Sequence, residues 1–202
     1  RVYDVVVRRI ERLSEDQREL LQLAAVAGER FSSTMLSSIA GEERVSVLRK
    51  LDRMLRRHQL LRSDGEAYSF SHPKIREILY EEISGELRQE YHLTCGKYLE
   101  DRAQRGTRVT AGDLARHFFH GGVSEKALPH LIRAGDQATR MFAYSEACDF
   151  YRWASQSLAS RRQSPETIRL RTSLQFKLGS VYKRLGVIDA ALDNLKCAED
   201  LA

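Results

Sequence analysis

Twelve residues separate Gly135 from Ala147 and Gly179 from Ala191, and each alanine opens a triad: Ala147, Tyr151, Ala154 and Ala191, Leu195, Ala198. A further triad, Ala127, Leu131, Ala134, begins 20 residues before Ala147, and the next interval is 44 residues. Steps of four and three residues put each triad on one face of a helix. Glycine a dozen residues earlier removes a side chain from the preceding helix, with Ala138 or Tyr182 three residues further on. Two helices can then approach closely, with the larger residues filling the space between neighbouring hairpins. Three helix pairs can be drawn from Thr110 onward. The unequal intervals predict an irregular solenoid rather than a regular array.

This pattern resembles the tetratricopeptide repeat. The triads match positions of its second helix, and Leu178, Gly179 and Tyr182 match its first-helix Leu-Gly-x2-Tyr. That repeat is about 34 residues long, so roughly ten extra residues near Arg161 to Thr167 must lengthen a helix or loop. The resemblance implies a groove that receives a protein or peptide, with Tyr144, Tyr151, Trp153 and Tyr182 as candidate lining residues.

The N-terminal part is organised by local stop and start signals. Ser14, followed three residues later by Gln17 with Glu15 and Asp16 between, is a capping box. It predicts a helix over Glu15 to Ala27, with Leu20, Leu23, Ala24 and Ala27 on one face, ending at Gly28. Ser32 or Ser33 caps a helix over Thr34 to Ala40, ended by Gly41. A third helix, about Glu43 to His58, carries a stripe of Val45, Leu48, Leu51 and Leu55. Gln59 to Arg62 and Ala67 to Ser71 are β-like runs around Asp64-Gly65, a hairpin signal. Three helices followed by a hairpin is the order of a winged helix. Two more helices follow: Pro73 to Ile83, burying Ile75, Ile78, Leu79 and Ile83, and Glu86 to Gln104, burying Leu87, Tyr91, Cys95 and Tyr98. The predicted fold is mostly α, a winged-helix domain with a small β-hairpin over residues 1–84 and an irregular tetratricopeptide-like α-solenoid over 85–202.

Composition narrows the function. Of 202 residues, 42% are hydrophobic, enough for real cores. The net charge is +5, and the excess lies wholly in residues 105–202, with 15 basic and 10 acidic side chains. No apolar run approaches the roughly 20 residues of a membrane span, so no membrane partner is expected. Cys95, Cys148 and Cys197 are widely spaced, forming neither a disulfide framework nor a zinc cluster, which points to a reducing, cytoplasmic setting. His117 and His120, with Glu125 and His130 nearby, permit a metal by spacing. No third ligand is fixed, and a packed helix end is the expectation, so no metal is assigned. There is no Gly-x4-Gly-Lys-Ser/Thr, no nucleophile elbow, no metalloprotease helix motif and no glycine-rich dinucleotide loop, and no catalytic residue is assigned. The first residue is Arg1 rather than Met, and the expectation is a piece of a longer chain.

The run Phe70-Ser71-His72-Pro73-Lys74-Ile75-Arg76-Glu77-Ile78-Leu79-Tyr80 resembles the C-terminal part of the signal-transduction ATPases with numerous domains. So, in the same order, do Leu20-Leu21-x-Leu23-Ala24-Ala25-Val26-Ala27-Gly28-x2-Phe31, Leu51-x8-Leu60-Leu61, Arg88-x3-His92 and Leu114-Ala115-x-His117. In that family an ATPase core precedes a winged helix and helical repeats. A Met-His-Asp motif after the wing places its histidine on the phosphates of ADP. Here the position reads Ser71-His72-Pro73, lacking the acid. The resemblance implies that His72, with Arg76 one turn on, faces ADP on an upstream core in cis, the ATP or ADP being held there and not by this chain. An imidazole can donate to a phosphate oxygen and gain a proton beside it at neutral pH. The alternative is that His72 caps the following helix or packs in the wing.

A second function class stays open. Arg49, Lys50, Arg53, Arg56 and Arg57 lie on the helix that a DNA-binding winged helix inserts into the major groove. Few base-reading Asn, Gln, Ser or Thr accompany them. A basic face that is solvated or docks on an acidic partner is the competing reading. The function expected is regulation and protein–protein interaction, coupling the nucleotide state of the absent ATPase core to partner binding. The alternative is a DNA-binding regulator with a helical effector or dimerisation domain.

Overall fold

The computed structural model describes residues 2–159 and 161–201. Among these are eleven helices and one three-stranded antiparallel sheet, a mostly α fold. The chain divides into two compact units, Arg1–Tyr98 and Leu99–Ala202.

In the first unit α1 (Val2–Ile10) precedes α2 (Glu15–Ala27), which starts and stops at the predicted residues. The Ser14 N–H donates to Gln17 Oε1 at 3.2 Å, and the Ser14 hydroxyl donates to Asp16. Leu20, Leu21, Leu23, Ala24, Ala25 and Val26 are buried, a broader face than the predicted stripe, and Ala27 is half-buried. Strand β1 (Arg30–Phe31) follows, then α3 (Ser33–Ala40), whose cap Ser32 accepts from the Met35 N–H at 3.1 Å and whose end is Gly41 at φ 65°.

Helix α4 (Arg44–Arg56) corrects the predicted stripe. Val47, Leu51 and Met54 are fully buried, while Val45 is 50% exposed and Leu48 and Leu55 are half-buried. Leu51 belongs to both helical stripes, so periodicity alone does not choose between them; packing against α3 does. On the flank of the true face, Lys50 is held by Glu42 at 2.9 Å and Asp16 at 3.3 Å.

The hairpin forms from β2 (Leu61–Ser63) and β3 (Tyr68–Phe70). Asp64 closes it by accepting from the N–H groups of Glu66 and Ala67 at 3.1 and 2.9 Å, with Gly65 at φ 95°. β1 was not anticipated. It adds to the outer edge of β3, pairing Arg30 with Ser69 and Phe31 with Tyr68 in the order β1-β3-β2. Phe31 is buried and its ring packs on those of Tyr68 and Phe70, at 6.2 and 5.6 Å between centroids. Two residues hold no period, so only the partner strand reveals this one.

Helix α5 (Pro73–Glu81) takes Pro73 at its first turn and buries Ile75, Ile78 and Leu79; Ile83 beyond it is also buried. Helix α6 (Gly85–Gln104) buries Cys95 as expected, but its other buried residues are His92 and Gly96, with Leu87 41% exposed and Tyr91 and Tyr98 half-buried. A buried histidine needs a polar partner. The Tyr80 hydroxyl supplies one, 2.9 Å from His92 Nε2, under the guanidinium of Arg88.

The second unit holds α7 (Ala111–His120), α8 (Ser124–Arg140), α9 (Tyr144–Ala159), α10 (Pro165–Leu185) and α11 (Ile188–Leu201). These are five helices, not three pairs, and the reason lies in α8. It packs as second helix against α7 and as first helix against α9. The 20-residue interval therefore spans one helix and a turn. The 44-residue interval spans two helices, and the extra length goes into the 21-residue α10 and the segment before it. A Cβ on Gly135 would lie 2.4 Å from the ring of Tyr151, and one on Gly179 2.7 Å from Leu195 Cγ, so both glycines sit where the hairpins close most tightly.

Candidate interaction groove of the helical unit

The face of α8, α9 and α10 carries a cavity of about 390 Å³ lined by the charged side chains Asp136, Arg140, Lys177 and Arg184 together with Tyr151 and Phe176, among others. Its floor follows from the packing glycine. Because residue 135 has no side chain, the Tyr151 ring lies against α8, buried, and its hydroxyl donates to Asp136 Oδ1 at 2.7 Å. Thr139 is hydrogen-bonded to the same hydroxyl at 3.3 Å. From α10, Lys177 pairs with Asp136 and stands 5.6 Å from the Tyr151 ring centroid. Partial burial pushes Asp136 up, but the Lys177 ammonium and the Tyr151 hydroxyl outweigh it and hold the carboxyl below its usual range. Burial, with the Asp136 charge beside it, pushes the Tyr151 phenol up.

A carboxyl whose folded pKa is lowered adds stability at neutral pH that is lost as pH falls from its unfolded value, about 3.9, through the folded one. Asp136→Asn is therefore expected to lower stability at pH 7 and to flatten the loss between about pH 5 and 2. Thermal midpoints across that range test this; parallel acid limbs for the two proteins would refute it.

On the rim, Arg184 donates to the Tyr144 hydroxyl at 3.2 Å and its guanidinium lies 5.6 Å from that ring. Arg140 is exposed and makes no ion pair with the described residues. Of the four aromatics named from sequence, Tyr151 lines this cavity and Tyr144 borders it. Trp153 faces α7 instead, stacked on Phe119 at 5.3 Å and edge-on to His120 at 5.2 Å. Tyr182 packs half-buried on the core. The polar members Asp136, Arg140, Lys177 and Arg184 were missed. The available signal was position: Asp136 directly follows Gly135, and Lys177 stands two before Gly179.

In the first unit His72 is exposed and caps α5, its Nδ1 accepting from the Lys74 N–H at 3.1 Å. A neutral ring that accepts at Nδ1 carries its proton on Nε2. Arg76 donates from Nε to the Ala25 carbonyl at 2.9 Å and lines a cavity of about 240 Å³ with Glu29, Arg30, Ser69, Phe70 and Pro73. On α4, Lys50 is committed to Glu42 and Asp16, and Arg56 to Asp52 at 2.6 Å. Arg49, Arg53 and Arg57 are exposed. Among the described residues no three His, Cys, Asp or Glu side chains cluster as a metal site, and no helix is long and apolar enough to cross a membrane.

No family model matches the chain. A protein of Rhizobium meliloti (strain 1021), described as uncharacterized, is 28% identical over 137 residues, 66% of this chain and 13% of that protein. Among solved structures, a signal transduction ATPase with numerous domains that has a tetratricopeptide repeat sensor, from Pyrococcus horikoshii, is similar with a TM-score of 0.36 and 13% identity. That match covers 96% of this chain and 45% of the other. The chain thus spans less than half the length of either protein.

Proposed function

We propose that this chain is the regulatory and protein-interaction part of a signal-transduction ATPase with numerous domains. In this reading the first unit is a winged helix, the second a tetratricopeptide-like solenoid, and neither is itself an enzyme. ATP or ADP belongs to an upstream core in the same polypeptide, acting in the cytoplasm. The first unit docks on the ADP-bound core through His72, with Arg76 beside it, and leaves on exchange, while partner binding to the solenoid biases that two-state equilibrium. The observation that carries the reading is His72 itself. It stands exposed at the motif position, with its Nδ1 occupied by the helix cap and the Nε2 proton left to donate to a phosphate oxygen. The duplex-binding alternative is weaker, because Lys50 and Arg56 are already paired within the molecule.

The test uses the parent protein with its ATPase core. A hydrogen bond to a charged group is worth about 1.5–3 kcal/mol, so His72→Ala is expected to weaken ADP retention about tenfold or more and to raise basal activity. His72→Asn keeps a good cap and loses the imidazole, and ADP retention should fall in it as well. Unchanged ADP affinity in both variants would overturn the proposal.

A further inference from the structure

We propose that the α8–α10 groove binds an extended acidic segment whose carboxylates are flanked by apolar side chains. This rests on the interaction reading above and names the partner's chemistry. Three cations, Arg140, Lys177 and Arg184, line the cavity with one carboxylate, Asp136. Asp136 is already answered by Lys177 and by the Tyr151 hydroxyl. Two guanidinium groups therefore face the groove in excess, and a carboxylate is the side chain that matches their forked donors. Arg184 is further held on the Tyr144 ring, so it loses less freedom when it binds.

Apolar anchors stand on both sides of this charge. At one end Phe142, in the turn between α8 and α9, is 75% exposed at φ 61°, a conformation a bulky side chain rarely holds, and meets the Tyr144 ring edge-on at 6.2 Å. At the other end Phe176 is 60% exposed and forms a wall of the same cavity. The same ring also walls an apolar cavity of about 980 Å³ between α10 and α11, with Ile168, Leu195 and Ala198. A segment running from Phe142 past Arg184 and Arg140 and over Phe176 would meet apolar, cationic and again apolar surface in turn.

The experiment uses the 202-residue chain and three fluorescein-labelled peptides read by anisotropy. The first probe is Leu-Asp-Glu-Asp-Glu-Leu-Phe-Leu, the second replaces its four acids with lysine, and the third replaces Leu and Phe with serine. The first should bind at least tenfold more tightly than either other, and its affinity should fall steeply with salt. Arg140→Glu with Arg184→Glu, both on exposed positions, should weaken it at least tenfold. Phe176→Ser should bring it to the level of the serine probe, with helical content unchanged by circular dichroism. Equal binding of the lysine probe, or full affinity in the charge-reversed variant, would overturn the inference. So would association of the chain with itself that the acidic probe does not disturb. If the acidic probe fails while the His72 variants lose ADP, the groove assignment falls and the regulatory reading stands. If it binds while ADP retention is untouched, the reverse holds.

Discussion

Met54→Ala is expected to destabilise the N-terminal unit by about 2–5 kcal/mol, whereas Val45→Ala on the same helix should stay within about 0.5 kcal/mol of the parent. Met54 has no solvent exposure and belongs to the core formed with Leu21, Leu36, Val47, Leu51 and Leu79. Truncating it removes three heavy atoms from a close-packed site and leaves a cavity that backbone relaxation fills only in part. Val45 is half in water and loses little. In a unit of this size 1 kcal/mol moves the midpoint by about 4–8 °C, so the two variants should differ by at least about 6 °C in thermal unfolding. A larger loss for Val45→Ala than for Met54→Ala would mean that the Val45, Leu48, Leu55 stripe is the buried one.

Gly135→Ala should also destabilise, against the usual sign of the substitution. Within a helix alanine is ordinarily favoured over glycine by about 1 kcal/mol. Here the new methyl would lie 2.4 Å from one ring carbon of Tyr151 and 2.7 and 2.9 Å from two others. The ring cannot retreat, being 2% exposed and tied through its hydroxyl to Asp136 and Thr139. Overpacking of this kind costs about 1–3 kcal/mol or more, and the α8–α9 hairpin must open to relieve it. We expect a net loss of about 2 kcal/mol. Gly179→Ala should cost less, since the half-buried Leu195 can turn aside, although the Ala191 carbonyl at 3.1 Å resists. Gly85→Ala, at the start of α6 with nothing within 4 Å, should be neutral or stabilising. Urea midpoints for the three variants decide the matter. A stabilised Gly135→Ala protein would show that the helices do not close as described.

What could be read in advance was local. Ser14 with Gln17 and then Gly28 bounded α2 at both ends, because capping and helix termination are decided within a few residues. Asp64-Gly65 placed the hairpin for the same reason, and Pro73 the start of α5. The Gly135 to Ala147 spacing foresaw a close approach, since a missing side chain on one helix and a large one on the next complement each other wherever the chain folds back. The candidate site was legible only in its aromatic floor: Tyr151 was named, while the charges around it were not.

The choices that required the folded chain all involve partners distant in sequence. β1 exists because β3 offers an edge, and two residues carry no period of their own. On α4 the residue Leu51 suits two stripes, and on α6 the Tyr80 hydroxyl makes the burial of His92 affordable where pattern favoured Leu87 and Tyr91. The groove joins Asp136 to Lys177 across 41 positions, and nothing local marks either one as a partner of the other. The amino-acid sequence by itself determined where α2, the hairpin turn and α5 begin or end and where two helices can close on a glycine, because caps, turns and missing side chains act through neighbouring atoms. Tertiary structure alone decided which face α4 and α6 bury and which charges meet, because burial and Coulomb interaction depend on distance in space and not on distance along the chain.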